Sequence, residues 1–288
     1  MDPFENPIAE LLINSISAHG HADDRAISTS TLGVDGATHN LILNKYPVIH
    51  DHFILATKDN KPQTDLLEAD DLALSLACLK AWRAETASGS LFAFFNSGKD
   101  SGASQPHRHL QFLPVEDMAG STEDGWHVLC DRMSLSAHRD SNAAGHAGLP
   151  FACFTAPIES DITSNSLHQQ YLSLLKQAYM AVQENKSSTD VTTEKLLQVA
   201  RSTFSYNLAM TCDVMALLPR RNESASLPGM ADSLISINGT ILAGTLMVKS
   251  EQEFEAMKKD PTLLDYILKE ITFPGSQVTL KQDIASKY

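Results

Sequence analysis

The feature that most constrains this chain is a loop of small residues that leads directly into a short alternating segment. The loop runs from Asn96 to Gln105 and is rich in serine and glycine. The segment that follows reads His107-Arg108-His109-Leu110-Gln111-Phe112. Because side chains alternate along a strand, the two histidines and the glutamine share one face, whereas the leucine and the phenylalanine point to the other. We therefore predict a strand with one face in a core and a polar face that needs partners or a chemical role.

The loop and the strand together indicate chemistry at phosphorus. Small side chains let a phosphate approach the backbone amides, which form an anion-binding nest. An imidazole that attacks phosphorus forms a phosphoramidate and divides one displacement into two, and Gln111 would hold a phosphoryl oxygen without adding charge. Two other interpretations stay open. His-x-His is also a metal-ligand spacing, although Gln111 is a poor third ligand, and the histidines can instead be a structural pair.

The remaining pattern predicts an α+β domain in which helices flank an antiparallel sheet, because strands outnumber helices and short turns join most neighbours. The predicted strands are His39–Asn44, Val48–Thr57, Leu91–Phe95, His107–Val115, Phe204–Met210, Val214–Pro219, Leu234–Asn238 and Leu242–Lys249. The predicted helices are Leu66–Thr86, capped by Thr64 or Asp65, then Ser166–Asn185, Glu251–Lys258 and Pro261–Glu270. We expect loop over residues 119–148 and over most of the first 40 residues.

Charge and composition exclude several classes of protein. The chain has 288 residues, of which 43% are hydrophobic, and its 22 Lys and Arg against 35 Asp and Glu give a formal net charge of −13. So acidic a surface disfavours general binding to nucleic acid or to anionic membranes. We see no apolar run of transmembrane length and no secretory signal. Four scattered cysteines predict buried, reduced thiols, and the expected location is cytoplasmic, with the nucleus also compatible.

The loop and strand resemble the histidine-triad superfamily, in the branch where glutamine replaces the last histidine, which also holds galactose-1-phosphate uridylyltransferase. The closer resemblance is to the fungal diadenosine tetraphosphate phosphorylase family, also called ATP adenylyltransferase. Besides residues 96–112, three blocks carry it: Asp2-Pro3-Phe4-Glu5-Asn6-Pro7, Leu41-Ile42-Leu43-Asn44-Lys45-Tyr46-Pro47-Val48, and Ile237-Asn238-Gly239 with Ala243-Gly244-Thr245-Leu246-Met247-Val248-Lys249.

The resemblance implies a fold, a reaction and a set of roles. The fold is a histidine-triad-like domain over residues 1–288, with a C-terminal lobe from about residue 200. The reaction is phosphorolysis of diadenosine tetraphosphate to ATP and ADP, with His109 as nucleophile and with His107 and Gln111 beside it. The implied substrate-binding residues are Asn44, Lys45, Asn96, Ser97, Gly102, Ala103, Ser104, Gln105, Asn238, Gly239, Thr240, Thr245 and Lys249. The implied partners are a nucleotide and inorganic phosphate on a monomer, with no bound metal or other tightly held cofactor, although Mg²⁺ can accompany the nucleotide.

The chain also departs from the family pattern. Gly239 and Thr245 stand where Ser and Met are expected, and Val214 stands near an expected Trp. The family usually begins upstream of the Pro-Phe block, with a substrate-contacting lysine there. A relative with a changed substrate in specialised metabolism, a hydrolase and a nucleotide-binding regulator are therefore the alternatives. We interpret His50 and His52 as surface or packing residues, and Arg220 with Arg221 as a solvated pair or a phosphate contact.

Overall fold

A nine-stranded antiparallel sheet organises the protein. The computed structural model describes residues 2–18, 26–86, 89–119, 126–137, 149–183, 198, 204–230 and 232–275. In this part of the chain the strand order is β2-β1-β3-β4-β6-β5-β8-β9-β7, and β10 and β11 form a separate pair. The strands are β1 (Leu12–Ala18), β2 (Leu32–Gly33), β3 (His39–Leu43), β4 (Phe53–Thr57), β5 (Leu91–Ser97), β6 (His109–Pro114), β7 (Phe154–Pro157), β8 (Ser205–Met210), β9 (Val214–Arg220), β10 (Ser224–Ala225) and β11 (Ile235–Ser236).

Six α-helices have described bounds, and residue 198 is also helical. They are α1 (Ala69–Glu85), α2 (Val115–Ala119), α3 (Leu129–Ala137), α4 (Ser164–Val182), α5 (Glu251–Lys259) and α6 (Thr262–Ile271), with 3-10 turns at Thr29–Thr31 and Gly239–Ala243. The predicted α+β class with an antiparallel sheet flanked by helices is confirmed. None of the described helices is long and apolar enough to cross a bilayer.

The two faces of the sheet have different covers. Helices α1 and α4 pack on one face, where Phe112 and Leu110 of β6 join the main core. On the opposite face, residues 221–230 and 232–275, which we call the C-terminal cover, pack on β5, β8 and β9. Next to this cover, Phe4 packs on Ile42 and Ile54 of β3 and β4. The His109 face of β6 therefore lies between the N-terminal segment and the C-terminal cover.

Buried charges fix the start of α1 against the sheet. Arg108 is only 2% exposed, and its guanidinium donates to Glu68 at 2.9 Å and to Asp71 at 3.0 Å. His39 contacts the other Asp71 oxygen at 2.8 Å. Burial alone would raise the pKa of Asp71, but the hydrogen bond from His39 and the charge of Arg108 hold it below its ordinary value. Glu68 precedes the first turn as the N-cap, so the predicted cap at Thr64 or Asp65 is wrong.

Several predicted boundaries are wrong, and turns explain most of them. Residues 48–52 form turns instead of extending β4, and Asp51 there has a positive φ of 51°. The expected strand from Leu242 to Lys249 is a 3-10 helix followed by irregular chain. Within the expected loop over 119–148, residues 129–137 are helical, and residues 120–125 and 138–148 lie outside the described part. Strand β1 lies in the first 40 residues, where mostly loop is expected, and β7 lies in a segment for which no element is predicted. Both strands owe their burial to neighbouring strands rather than to a strong local pattern.

Candidate active site

His109 is held so that one ring nitrogen faces a backbone oxygen. Its Nδ1 lies 2.8 Å from the carbonyl oxygen of His107. A carbonyl can only accept, so Nδ1 carries the proton and Nε2 keeps an unshared electron pair. The residue is 3% exposed, and burial lowers the pKa of His109 to about 4. The imidazole is thus neutral at neutral pH, with a basic nitrogen available for attack.

The backbone around His109 is braced by a buried glutamine. Gln63 accepts a hydrogen bond from the His109 amide at 2.8 Å and donates to the carbonyls of Asn96 at 2.9 Å and His109 at 3.2 Å. The Phe4 ring packs against the His109 ring with centroids 4.8 Å apart. Gln63 thus fixes the backbone of His109, and Phe4 packs against its ring.

His107 is occupied on both ring nitrogens. Its Nδ1 lies 2.6 Å from a carboxylate oxygen of Asp2, and its Nε2 lies 2.7 Å from the carbonyl oxygen of Thr57. Burial alone would raise the pKa of Asp2, but hydrogen bonds from the Phe4 amide and from His107 hold it below its ordinary value. Because both nitrogens of His107 are engaged by oxygen atoms, this ring ties the N-terminal segment to the sheet.

Gln111 belongs to a chain of side-chain hydrogen bonds on the same face. Its Oε1 lies 3.1 Å from Nε2 of His52, and Nδ1 of His52 lies 2.9 Å from the amide nitrogen of Asn44. The Oδ1 of Asn44 accepts from the backbone amide of Tyr46 at 3.0 Å. Burial lowers the pKa of His52, and the hydrogen bond to Gln111 opposes that shift only in part.

A cavity of about 470 Å³ opens in front of these groups. Six of the residues expected at the site line it: Asn44, Lys45, Ser104, Gln105, His109 and Gln111. Its other walls are largely apolar and come from the N-terminal segment and from β3 and β4: Asp2, Pro3, Phe4, Asn6, Ile8, Leu11, Ile42, Leu43, Tyr46 and Ile54. The cavity therefore combines one polar wall with an apolar wall that suits a flat ring.

The small-residue loop is closely packed against the C-terminal cover. Gly102 has a φ of +79°, and a Cβ built there would lie 2.7 Å from the carbonyl oxygen of Ile237. Arg220, 3% exposed, donates to the carbonyls of Ser101 at 3.3 Å and Ile237 at 2.9 Å, and to Oδ1 of Asn207 at 2.6 Å. Burial lowers the pKa of Arg220 to about 10. The interpretation of Arg220 as solvated is wrong, because its buried guanidinium joins the loop to the cover, whereas the neighbouring Arg221 is exposed.

Asn96 connects the same two parts and keeps one donor free. Its Oδ1 accepts from Asn207 at 2.8 Å and from the Gly239 amide at 2.9 Å, so its NH₂ group is the remaining polar end. Asn96 is 1% exposed, and its Nδ2 has no hydrogen-bond partner among the described residues. A Cβ on Gly239 would lie 2.7 Å from the Phe94 ring, so the glycine permits this approach.

The other expected site residues lie outside the cavity lining. Ser97 is buried in β5, and Ala103 is half-buried in the loop. Asn238 caps the 3-10 turn by accepting from the Thr240 amide at 3.0 Å, and the Thr245 hydroxyl donates to the Thr240 carbonyl at 3.2 Å. The side chain of Lys249 is exposed.

Potential metal ligands gather away from the cavity. Among the described residues, the one set of three that could share an ion is His50, Asp51 and Asp117. Their ligand atoms lie within 4.8 Å of one another, and all three are exposed. None of them lines the cavity, so this set is separate from His109.

Sequence reasoning missed the residues that support the site. Gln63 lies in a loop with no distinguishing pattern, and His52 was interpreted as packing. Asp2 was part of a resembling block without an assigned role. A single polar residue produces no periodic pattern in the sequence. His52 directly precedes β4, and it reaches the site because the register of β4 against β6 places Ile54 opposite Gln111. Arg220 carried a usable signal, since it ends an otherwise apolar strand.

Two family models match this chain, one after the other. The Ap4A phosphorylase N-terminal domain matches residues 32–124, and the ATP adenylyltransferase C-terminal domain matches residues 147–274. The chain is 27% identical over 286 residues to diadenosine 5′,5‴-P1,P4-tetraphosphate phosphorylase 2 of Saccharomyces cerevisiae, covering 96% of this chain and 77% of that protein. It is also 27% identical over 279 residues to Protein APA1 of the same yeast, with the same coverage.

Solved structures show the same fold. The crystal structure of yeast Ap4A phosphorylase Apa2 superposes with a TM-score of 0.66 at 24% identity, over 95% of this chain and 82% of that one. The structure of Apa2 in complex with Ap4A superposes with a TM-score of 0.68 at 24% identity, over 95% and 81%. Since the two family models together span most of the chain, the protein belongs to the Ap4A phosphorylase (ATP adenylyltransferase) family.

Proposed function

We propose that this protein is a nucleotidyltransferase that phosphorolyses diadenosine tetraphosphate to ATP and ADP through an adenylyl group carried on His109. The observation that carries the proposal is the state of that imidazole. Nδ1 is committed to the His107 carbonyl, so Nε2 keeps its electron pair, and His109 lines the cavity. A neutral, fixed imidazole is the form that attacks phosphorus. The name of the yeast relative, a diadenosine tetraphosphate phosphorylase, supports the choice of substrate.

The reaction proceeds in two displacements. Nε2 of His109 attacks the α-phosphorus, the phosphorus–oxygen bond to the polyphosphate breaks, and ATP leaves. The positive charge that develops on the imidazole is stabilised by the Nδ1 hydrogen bond to the His107 carbonyl. Inorganic phosphate then attacks the adenylyl phosphorus, the phosphorus–nitrogen bond breaks, and ADP forms while His109 returns to its neutral state.

The polar groups around His109 support binding of the polyphosphate. Ser104 and Gln105 line the cavity beside His109, and the NH₂ group of Asn96 is a buried donor without a partner. A buried unpaired donor is unfavourable by about 1–3 kcal/mol, and a phosphoryl oxygen would satisfy it. We propose that Asn44 and Lys45 bind substrate from the opposite wall, and that Gly102, Ala103 and Ser97 shape the phosphate loop.

The C-terminal residues are proposed to act from the other side of this loop. Asn238, Gly239 and Thr240 form the 3-10 turn that contacts Asn96 and Gly102, and Thr245 and Lys249 follow it. We propose that residues 1–288 work as one domain of the histidine-triad type, with the lobe from about residue 200 closing on the polyphosphate. Lys249 lies outside the cavity lining, and we propose that closure of this lobe brings it to the substrate.

The partners and location follow the same proposal. The binding partners are a small nucleotide and inorganic phosphate, and we propose a monomer, since a chain of 288 residues is large enough to hold a complete site. The net charge of −13 supports the proposal that nucleic acid and membranes are not partners. We propose a cytoplasmic location, with the nucleus also accessible.

The dependence on inorganic phosphate tests the proposal. Purified protein is incubated with diadenosine tetraphosphate with and without phosphate, and the nucleotides are separated by chromatography. We expect equal amounts of ATP and ADP that require phosphate. Products formed equally fast without phosphate would indicate a hydrolase, and nucleotide binding without turnover would indicate a regulator. Turnover of a different metabolite in a substrate panel, with none on this substrate, would indicate a relative with a changed reaction.

A further inference from the structure

We propose that His52 is a positioning residue that fixes the amide of Gln111 with its NH₂ group toward the reacting phosphate. This inference rests on the proposed function and assigns a role to a histidine outside the His-x-His-x-Gln segment. Gln111 has two polar ends, an acceptor and a donor, and only the NH₂ end can hold a phosphoryl oxygen. The amide must therefore be prevented from turning over.

The direction of every hydrogen bond in the chain follows from one backbone amide. The Tyr46 amide can only donate, so the Asn44 oxygen at 3.0 Å accepts from it. The NH₂ group of Asn44 then faces Nδ1 of His52 at 2.9 Å as a donor, which leaves Nδ1 unprotonated. The proton of a neutral imidazole must consequently reside on Nε2.

That proton sets the orientation of Gln111. Nε2 of His52 lies 3.1 Å from Oε1 of Gln111 and donates to it. With its oxygen engaged, Gln111 presents its NH₂ group elsewhere, and both Gln111 and His109 line the cavity. The half-buried setting of His52 lowers its pKa, which favours the neutral ring that this order of donors requires.

Two substitutions of His52 separate orientation from packing. His52→Leu keeps much of the volume and removes the donor to Gln111. His52→Gln retains an amide donor at about the reach of Nε2. His50→Leu is the matched control, because His50 is two residues away and 83% exposed, and its Nδ1 lies 3.1 Å from the carboxylate of the neighbouring Asp51.

Kinetics with diadenosine tetraphosphate and inorganic phosphate give the first readout. We expect His52→Leu to lower kcat on the order of tenfold, because a hydrogen bond to a charged oxygen is lost in the transition state. KM should change much less, His52→Gln should recover most of kcat, and His50→Leu should match the parent. In a Gln111→Ala background, His52→Leu should have no further effect. An equal loss from His52→Leu in both backgrounds would refute the inference, as would a parental kcat in His52→Leu.

Side-chain amide NMR of the free protein gives a readout that needs no turnover. The Gln111 amide signals are assigned by their loss in Gln111→Ala. We expect them to shift in His52→Leu, to return toward the parental position in His52→Gln and to stay unchanged in His50→Leu. Unshifted Gln111 signals in a folded His52→Leu would overturn the inference. A parent without activity but with these shifts would overturn the proposed function and leave the positioning role supported.

Discussion

The buried, neutral His109 makes the stability of this protein depend on pH in a defined window. In the folded state the pKa of His109 is about 4, against an ordinary value of 6.5. Between these two pH values His109 is protonated in the unfolded chain but not in the folded protein. The free energy of unfolding therefore rises with pH across this window. Above pH 6.5 protonation of His109 in the unfolded chain does not lower the free energy of unfolding, and below pH 6.5 it lowers that free energy increasingly as the pH falls toward 4.

The size of the effect follows from the two pKa values. A difference of one pKa unit corresponds to about 1.4 kcal/mol, and linkage between pH 8 and pH 5 then gives a loss of about 2 kcal/mol from His109. His109→Asn is the matched variant, because the Asn amide nitrogen can replace Nδ1 as the donor to the His107 carbonyl and does not titrate. His52, whose pKa is also lowered, contributes equally to both proteins.

Urea unfolding at pH 8, 7, 6 and 5 measures this difference. We expect the parent to lose about 2 kcal/mol more than His109→Asn between pH 8 and pH 5. The m-values should agree, which would show that both proteins unfold from equally compact states. Parallel pH profiles for the two proteins would refute the reasoning, since His109 would then titrate at its ordinary pKa.

Several other substitutions test separate contacts. His109→Ala should abolish turnover with an unchanged circular dichroism spectrum, whereas His107→Ala should lower the melting temperature and leave measurable turnover; the reverse order of activities would exchange their roles. Gly102→Ala should be destabilising by more than about 1–2 kcal/mol in urea unfolding, because its φ of +79° disfavours a side chain and the Ile237 oxygen is in the way. Arg220→Met should be destabilising by at least about 3 kcal/mol, since buried carbonyls lose their donor, and a smaller loss would show that the loop does not depend on it. Metal analysis after dialysis should find no stoichiometric zinc, and zinc that is retained by the parent but lost in His109→Asn would contradict the assignment of His109 as a free nucleophile.

The local sequence pattern predicted those helices and strands whose conformation depends on their own residues rather than on a distant partner. The period-2 alternation around His109 and the apolar stripe of α4 each identify their element without reference to the rest of the chain. The segment from Leu242 to Lys249 has the composition of a strand, yet it finds no strand partner in the described residues and begins as a 3-10 turn capped by Asn238. Strand formation depends on pairing, which a single sequence does not display.

The site was predictable where its residues are neighbours in sequence. The loop and strand from 96 to 111 carry their chemistry in one block, so the pattern indicated a phosphate loop with a reactive imidazole and Gln111, and the family resemblance singled out His109. The supporting groups come from distant segments: Asp2 reaches His107 across 105 positions, and His52 reaches Gln111 across 59. Such contacts follow from sheet register, and the register becomes known only when the sheet is assembled.

The covalent intermediate is the central claim, and trapping it is the most direct test. The protein is mixed with diadenosine tetraphosphate in the absence of phosphate, quenched in base, in which phosphoramidates survive, and digested for peptide mass spectrometry. We predict an AMP adduct on the peptide that contains His109, absent in His109→Asn, and a chiral-phosphorus substrate should give net retention from two inversions. No adduct together with net inversion would demonstrate a single direct displacement, and His109 would then be a base or a binding group instead of the nucleophile.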